Sequence, residues 1–134
     1  ELLVRYTRDN DHKGRPIAAD PVVRHKLAER ALELETLRLF GLEIMWKMST
    51  GKMPGYEAAR NKLFCNIVTD NLAKTGLDIL GAYSQVSPES KWARLHGRCQ
   101  NLYLLNMGWF SAAGTMEIQK NVIGQFKLGL PRAY

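Results

Sequence analysis

Apolar residues recur at helical spacing along most of the chain. From Leu27 they fall at Ala31, Leu34, Leu37, Ile44 and Met48, steps that place side chains on one helical face. A second set, Ala28, Leu32, Leu39, Leu42 and Trp46, widens the stripe and predicts a helix covered on two sides. Asp20 ahead of Pro21 predicts its start, because a carboxylate caps first-turn amides and proline loses nothing at the first helical position. Gly51, with Pro54 beyond, predicts its end.

A second helix is predicted from Tyr56 to Leu80, with Ala59, Leu63, Ile67 and Leu72 on one face, Phe64 and Val68 beside it, and Gly81 as its stop. Ser87-Pro88-Glu89 predicts the start of a third, with Trp92, Leu95, Cys99, Leu102 and Met107 facing inward. Gly97 weakens that helix by about 1 kcal/mol relative to alanine unless a neighbour approaches closely there. A fourth begins at Thr115, whose hydroxyl is placed to cap the first turn. Glu117 then lies at the positive end of the helix dipole, Ile118, Val122 and Phe126 are buried, and Gly129 and Pro131 close it. The opening "ELLVRYTR" reads as the last turns of a further helix. Long amphipathic helices on short connections predict an all-α fold, an antiparallel, up-and-down four-helix bundle with almost no strand.

The length of 134 residues predicts one domain over 1–134. The net charge of +6 is dispersed among acidic residues, as in "ERALELETLR", so it reads as a solvated surface, and no nucleic-acid partner is expected. Recognition of phosphate on a ligand is the next option. No apolar run is long enough for a bilayer, and the charged opening lacks a leader pattern, so a bacterial cytoplasm is the expected compartment. Cys65 and Cys99 are far apart inside apolar patterns and are expected as buried, reduced thiols. His25 and His96 sit in polar helical positions and are expected at the surface. No metal-ligand spacing and no Ser/His/Asp or Cys/His constellation is present.

The segment "AGTMEIQKNVIGQFKLGLPR" resembles the C-terminal signature of the acyl-CoA dehydrogenases. Gly114, Thr115, Glu117, Ile118, Gln119, Asn121, Ile123 and the run Leu128 to Arg132 stand in register with it. "KGRPIAADPVVRHKLAE" resembles the family's entry into the first C-terminal helix, and "LDILG" the end of its second. Gln119, Asn121 and Arg132 are needed by neither helix nor core, and their order makes the match specific. The resemblance covers nearly the whole chain but one of the family's three domains. It implies that an N-terminal helical domain and a middle β-domain precede this one.

The resemblance also implies FAD as cofactor. Thr115, Glu117 and Gly114 would lie at the flavin, since a helix start with open amides and a hydroxyl suits a phosphate or a ribityl-adenine group. Arg8 and Asp78 would lie near the pyrophosphate. The family's arginine before its Phe-Gly pair falls at Asn10 with Arg8 nearby, its aromatic at Lys13, and its glutamine at Asp78; Arg15 is open to the same role or to plain solvation. The implied reaction removes a proton α to a thioester and passes the β-hydrogen to flavin as hydride, which needs a poised carboxylate. Many members place that glutamate where this chain has Ala113. The base would come from a preceding helix or a related subunit, or else the protein is inactive. The implied partners are an acyl-CoA, an electron-transfer flavoprotein, and further subunits in a homo-tetramer or hetero-oligomer. The region ending "LLNMGWFSAAGT" would line the substrate side, where Ala112, Ala113 and Gly114 leave room for a bulky chain. A non-catalytic partner subunit or helical assembly module is the alternative.

Overall fold

A computed structural model describes residues 1–132. The fold is all-α and mostly helical. Five α-helices run over Leu2–Asp9 (α1), Pro21–Ser49 (α2), Tyr56–Leu80 (α3), Arg98–Trp109 (α4) and Met116–Leu128 (α5). Two-residue strands, Asp11–His12 (β1) and Arg15–Pro16 (β2), pair antiparallel in a small hairpin between α1 and α2. Its turn uses Lys13 (φ +53°) and Gly14 (φ +76°). Among the described residues, α2 to α5 stand for the four expected helices and α1 for the further helix read from the opening segment, and α3 is a hub: α2, α4 and α5 each pack chiefly against it.

The local signals explain α2 and α3. Asp20 caps α2 by accepting from the Val22 N–H at 2.8 Å, with Pro21 at the first position. The helix closes at Thr50, and Gly51 (φ +75°) turns the chain out. α3 holds most of the interior, burying Ala59, Val68, Ala73 and Leu80 together with Glu57, Asn66 and Thr75. Gly76 lets α4 approach, because a Cβ there would stand 2.5 Å from the Cys99 Sγ. Cys65 and Cys99 are free thiols but only half-buried.

Several predicted core positions are in solvent in this chain. No residue of α2 is fully buried. Its inner stripe includes Leu27, Leu37, Phe40 and Ile44, but also Arg30 and Glu33. Arg30 pairs with Glu33 at 2.9 Å, and the Asn71 amide of α3 donates to Glu33 at 2.9 Å, so part of the α2–α3 contact is polar. The second stripe, with Leu32, Leu39, Leu42 and Trp46, is exposed, as are Leu34 and Met48; α2 is covered on one side, not two. On α3, Ile67 is likewise exposed.

The third predicted helix is shortened. Ser87-Pro88-Glu89 starts no helix; α4 begins only at Arg98. Leu95, His96 and Gly97 are left-handed in succession (φ +50°, +53° and +66°), which breaks helical hydrogen bonding. Gly97 lies before the helix and against Pro88, whose Cβ would be 2.9 Å from an added methyl, so a loop is the close neighbour. Trp92 and Met107 face solvent, while Leu95, Cys99 and Leu102 are half-buried. His25 and His96 are both exposed, His96 off any α-helix.

Candidate functional site

The hairpin and the end of α3 enclose a cavity of about 680 Å³, within the range of ordinary ligand sites. His12, Lys13 and Arg15 line it from the hairpin, Asp20 and Val23 from the start of α2, and Asp78 from α3. Its two carboxylates are already engaged: Asp20 accepts from the Val22 N–H, and Asp78 accepts from Lys26 Nζ at 2.8 Å. The lining balances Lys13 and Arg15 against Asp20 and Asp78, and Lys26, which answers the carboxylate that stands where glutamine was expected, tips the site to a positive charge. Lys26 lies 52 residues from Asp78, so no local signal marks the pair.

Asp78 also borders a second cavity of about 560 Å³, with Gly81, Gln100, Tyr103 and Leu104. The Gln100 Oε1 is buried there without a hydrogen-bond partner. Arg8 is exposed on the last turn of α1 and outside the lining of the first cavity. Asn10 turns back to donate to the Tyr6 carbonyl at 3.0 Å, finishing that helix.

Gly114, Thr115 and Glu117 gather at the start of α5, apart from the lining of either cavity. Thr115 is the N-cap residue, but its hydroxyl makes no bond to a first-turn amide. The expected capping bond is thus not made. Glu117's own backbone N–H and then the Thr115 hydroxyl hold the Glu117 carboxyl below its ordinary range, with Lys120 adding to the effect. The ionised Glu117 occupies the anion-favouring end of the helix, which suits hydroxyl donors better than phosphate.

Ala113 (φ +56°) and Gly114 (φ +95°) turn the chain into this helix. Gln119, read from sequence as needed by neither helix nor core, donates from Nε2 to the Ala113 carbonyl at 2.9 Å. Further along α5, Ile118 and Phe126 are exposed, and Val122 and Ile123 form the half-buried face. Gly129 ends the helix in the left-handed region, and the Leu130 N–H closes on the Gly124 carbonyl at 3.0 Å.

Residues 1–128 match the family described as "Acyl-CoA dehydrogenase, C-terminal domain". The chain belongs to this family. Acyl-CoA dehydrogenase IpdE1 of Mycobacterium tuberculosis is 29% identical over 115 residues, covering 86% of this chain and 28% of the relative. Acyl-CoA dehydrogenase FadE26 of the same organism is 28% identical over 114 residues, covering 83% and 28%. Among solved structures, the Tcur3481-Tcur3483 steroid ACAD superposes with a TM-score of 0.89 at 26% identity, over 98% of this chain and 33% of that one. The chain therefore spans about a third or less of the length of these acyl-CoA dehydrogenases. Among the described residues, no helix is long and apolar enough to cross a membrane.

Proposed function

We propose that residues 1–134 form the C-terminal helical domain of an FAD-dependent acyl-CoA dehydrogenase that converts an acyl-CoA thioester to its α,β-unsaturated thioester. The cationic cavity around His12, Lys13 and Arg15, closed by the Lys26–Asp78 pair, is the observation that carries the flavin part of this reading. Its residues fit a pyrophosphate: Lys13 and Arg15 line the space with the His12 imidazole, Lys26 neutralises Asp78, and Asp20 turns an oxygen to the Val22 amide. The Thr115–Glu117 pair fits the hydroxyl-rich portion of the same cofactor, since an ionised carboxylate accepts from hydroxyls. Gly114 and Arg8 join this reading by resemblance alone, since the side of Gly114 that a Cβ would fill faces Gln119 and Arg8 lies outside the cavity lining. FAD, when bound, supplies the hydride acceptor, and an electron-transfer flavoprotein is the onward partner.

This chain's own part is to bind and orient. The methyl of Ala113 takes no proton, so the base that removes the α-proton comes from outside these residues. A mixed oligomer is the preferred source. The structure with a TM-score of 0.89, the Tcur3481-Tcur3483 steroid ACAD, carries two components in its name. The exposed stripe of α2, with Leu32, Leu39 and Trp46, offers apolar area for such subunit contacts. The small run Ala112-Ala113-Gly114 and the second cavity at Leu104 leave room for a bulky, ring-bearing acyl chain. Ala113 also favours a second reading, a partner subunit that completes a flavin site without supplying the base.

The test is flavin titration and acyl-CoA turnover by the full-length protein, alone and with a co-expressed related subunit. The expected result is a yellow protein whose Lys26→Met variant binds FAD several-fold more weakly, with Asp78→Gln in the same background restoring it. A colourless full-length protein that pairs with a yellow homologue supports the partner reading. Absence of flavin from every such assembly overturns both.

A further inference from the structure

We propose that Gln119 is a positioning residue: its side-chain amide holds the Ala113–Gly114 turn left-handed and so fixes how the start of α5 faces the cofactor. The inference rests on the flavin reading above. The Nε2 reaches back six residues to donate to the Ala113 carbonyl at 2.9 Å. Ala113 sits at φ +56°, where its Cβ crowds its own carbonyl and a residue with a side chain stays only when held. The same amide lies against Gly114, where a Cβ would stand 2.8 Å from Nε2 and 3.6 Å from the Ile118 Cγ2. Gly114 thus makes room for the clamp as well as for the turn.

The turn has two sides. On the α4 side, the Ser111 and Ala112 amides both donate to the Gly108 carbonyl, at 3.2 Å each. On the α5 side, Gln119 ties the Ala113 carbonyl to the helix that follows. Thr115 then enters α5 extended, at φ −64° and ψ 167°, which sets how its hydroxyl and the first-turn Glu117 are presented. Freeing the Ala113 carbonyl lets that residue leave the left-handed region and swings the Thr115–Glu117 pair with it.

Two variants of the full-length protein separate a donor from a space-filler. Gln119→Met keeps the length and loses the donor. Gln119→Glu keeps the shape and turns a carboxylate on the carbonyl at neutral pH. Flavin affinity, read by titration of the apoprotein, should fall about 2- to 10-fold in Gln119→Met, the loss of one hydrogen bond, and further in Gln119→Glu. A space-filling side chain gives the opposite order, with Gln119→Glu closest to wild type. Crystal structures of the apoproteins supply a readout independent of flavin: Ala113 is expected left-handed in wild type and outside that region in Gln119→Met. Ala113 staying near φ +56° in that variant, or Gln119→Glu binding flavin like wild type, overturns the proposal. A shifted Ala113 with unchanged flavin affinity overturns its link to the cofactor. The flavin reading itself falls if Lys26→Met also binds as wild type, or if no full-length assembly holds flavin.

Discussion

Two lysine–carboxylate pairs join α2 to α3 at opposite ends, and they do different work. At one end Lys47 bonds Glu57, whose side chain is 3% exposed. Glu57 also accepts from the Gly55 N–H at 3.0 Å, so it fixes the connection between the helices as well as the helices themselves. Lys47 and Lys127 both lie over the Tyr56 ring beside it, at 5.6 and 4.9 Å from the ring centre. At the other end Lys26 bonds Asp78 with side chains 41% and 62% exposed, on the edge of a cavity. The same chemistry is a structural clasp where water is excluded and an electrostatic adjustment where water or a ligand can enter.

The largest expected effect is at the buried end. Glu57→Ala leaves Lys47 half-buried without its partner and the Gly55 amide unbonded, and should cost about 3 kcal/mol in urea unfolding. A loss below about 1 kcal/mol would dissolve the contrast between the two ends.

Acid offers the next test. The Lys47 bond, and then the Glu57 and Gly55 amides, bring the Glu57 carboxyl down from 4.5 to about 2 against the opposing effect of burial. The folded value is depressed, so this pair's stabilisation is complete above the unfolded value and is lost as pH falls from about 4.5 towards 2. Replacing Glu57 by Gln should flatten the pH dependence of thermal unfolding in that window. An unchanged slope would show that Glu57 is not the group responsible.

The smallest effect belongs to the exposed end. Asp78→Asn should shift stability by no more than about 0.5 kcal/mol, because water already screens the pair. A much larger change in unfolding midpoint would mark Asp78 as a structural residue rather than a cavity one.

Much of the helical frame was legible because its signals are local. Asp20, Pro21 and Gly51 bound α2, and Tyr56 and Leu80 bound α3, through capping and turn chemistry that acts within a few residues. The third helix misled for the complementary reason. Ser87-Pro88-Glu89 is a good local start, but the left-handed run Leu95–Gly97 is set against Pro88, nine residues before Gly97, which periodicity does not register. Exposed Leu32, Trp46, Ile118 and Phe126 teach another limit: spacing shows that a position seeks cover, not whose surface supplies it. At the site, the signature placed Gly114, Thr115 and Glu117 together. It gave no sign that the Thr115 hydroxyl would leave the first-turn amides uncapped, that Lys26 would neutralise Asp78, or that Gln119 would reach back to Ala113.

The hub arrangement of α3 has a consequence for how the domain opens. Because α2, α4 and α5 lean on α3 more than on one another, each can detach with little disturbance to the other two. Amide exchange should therefore be slowest along the middle of α3, around Val68 and Ala73, and, of the three helices that lean on it, fastest in α5, which like α2 has no fully buried residue but is only 13 residues long against 29. The segment bearing the Thr115–Glu117 pair would then be the first to loosen, leaving it free to settle on whatever it binds while the frame behind it stays closed.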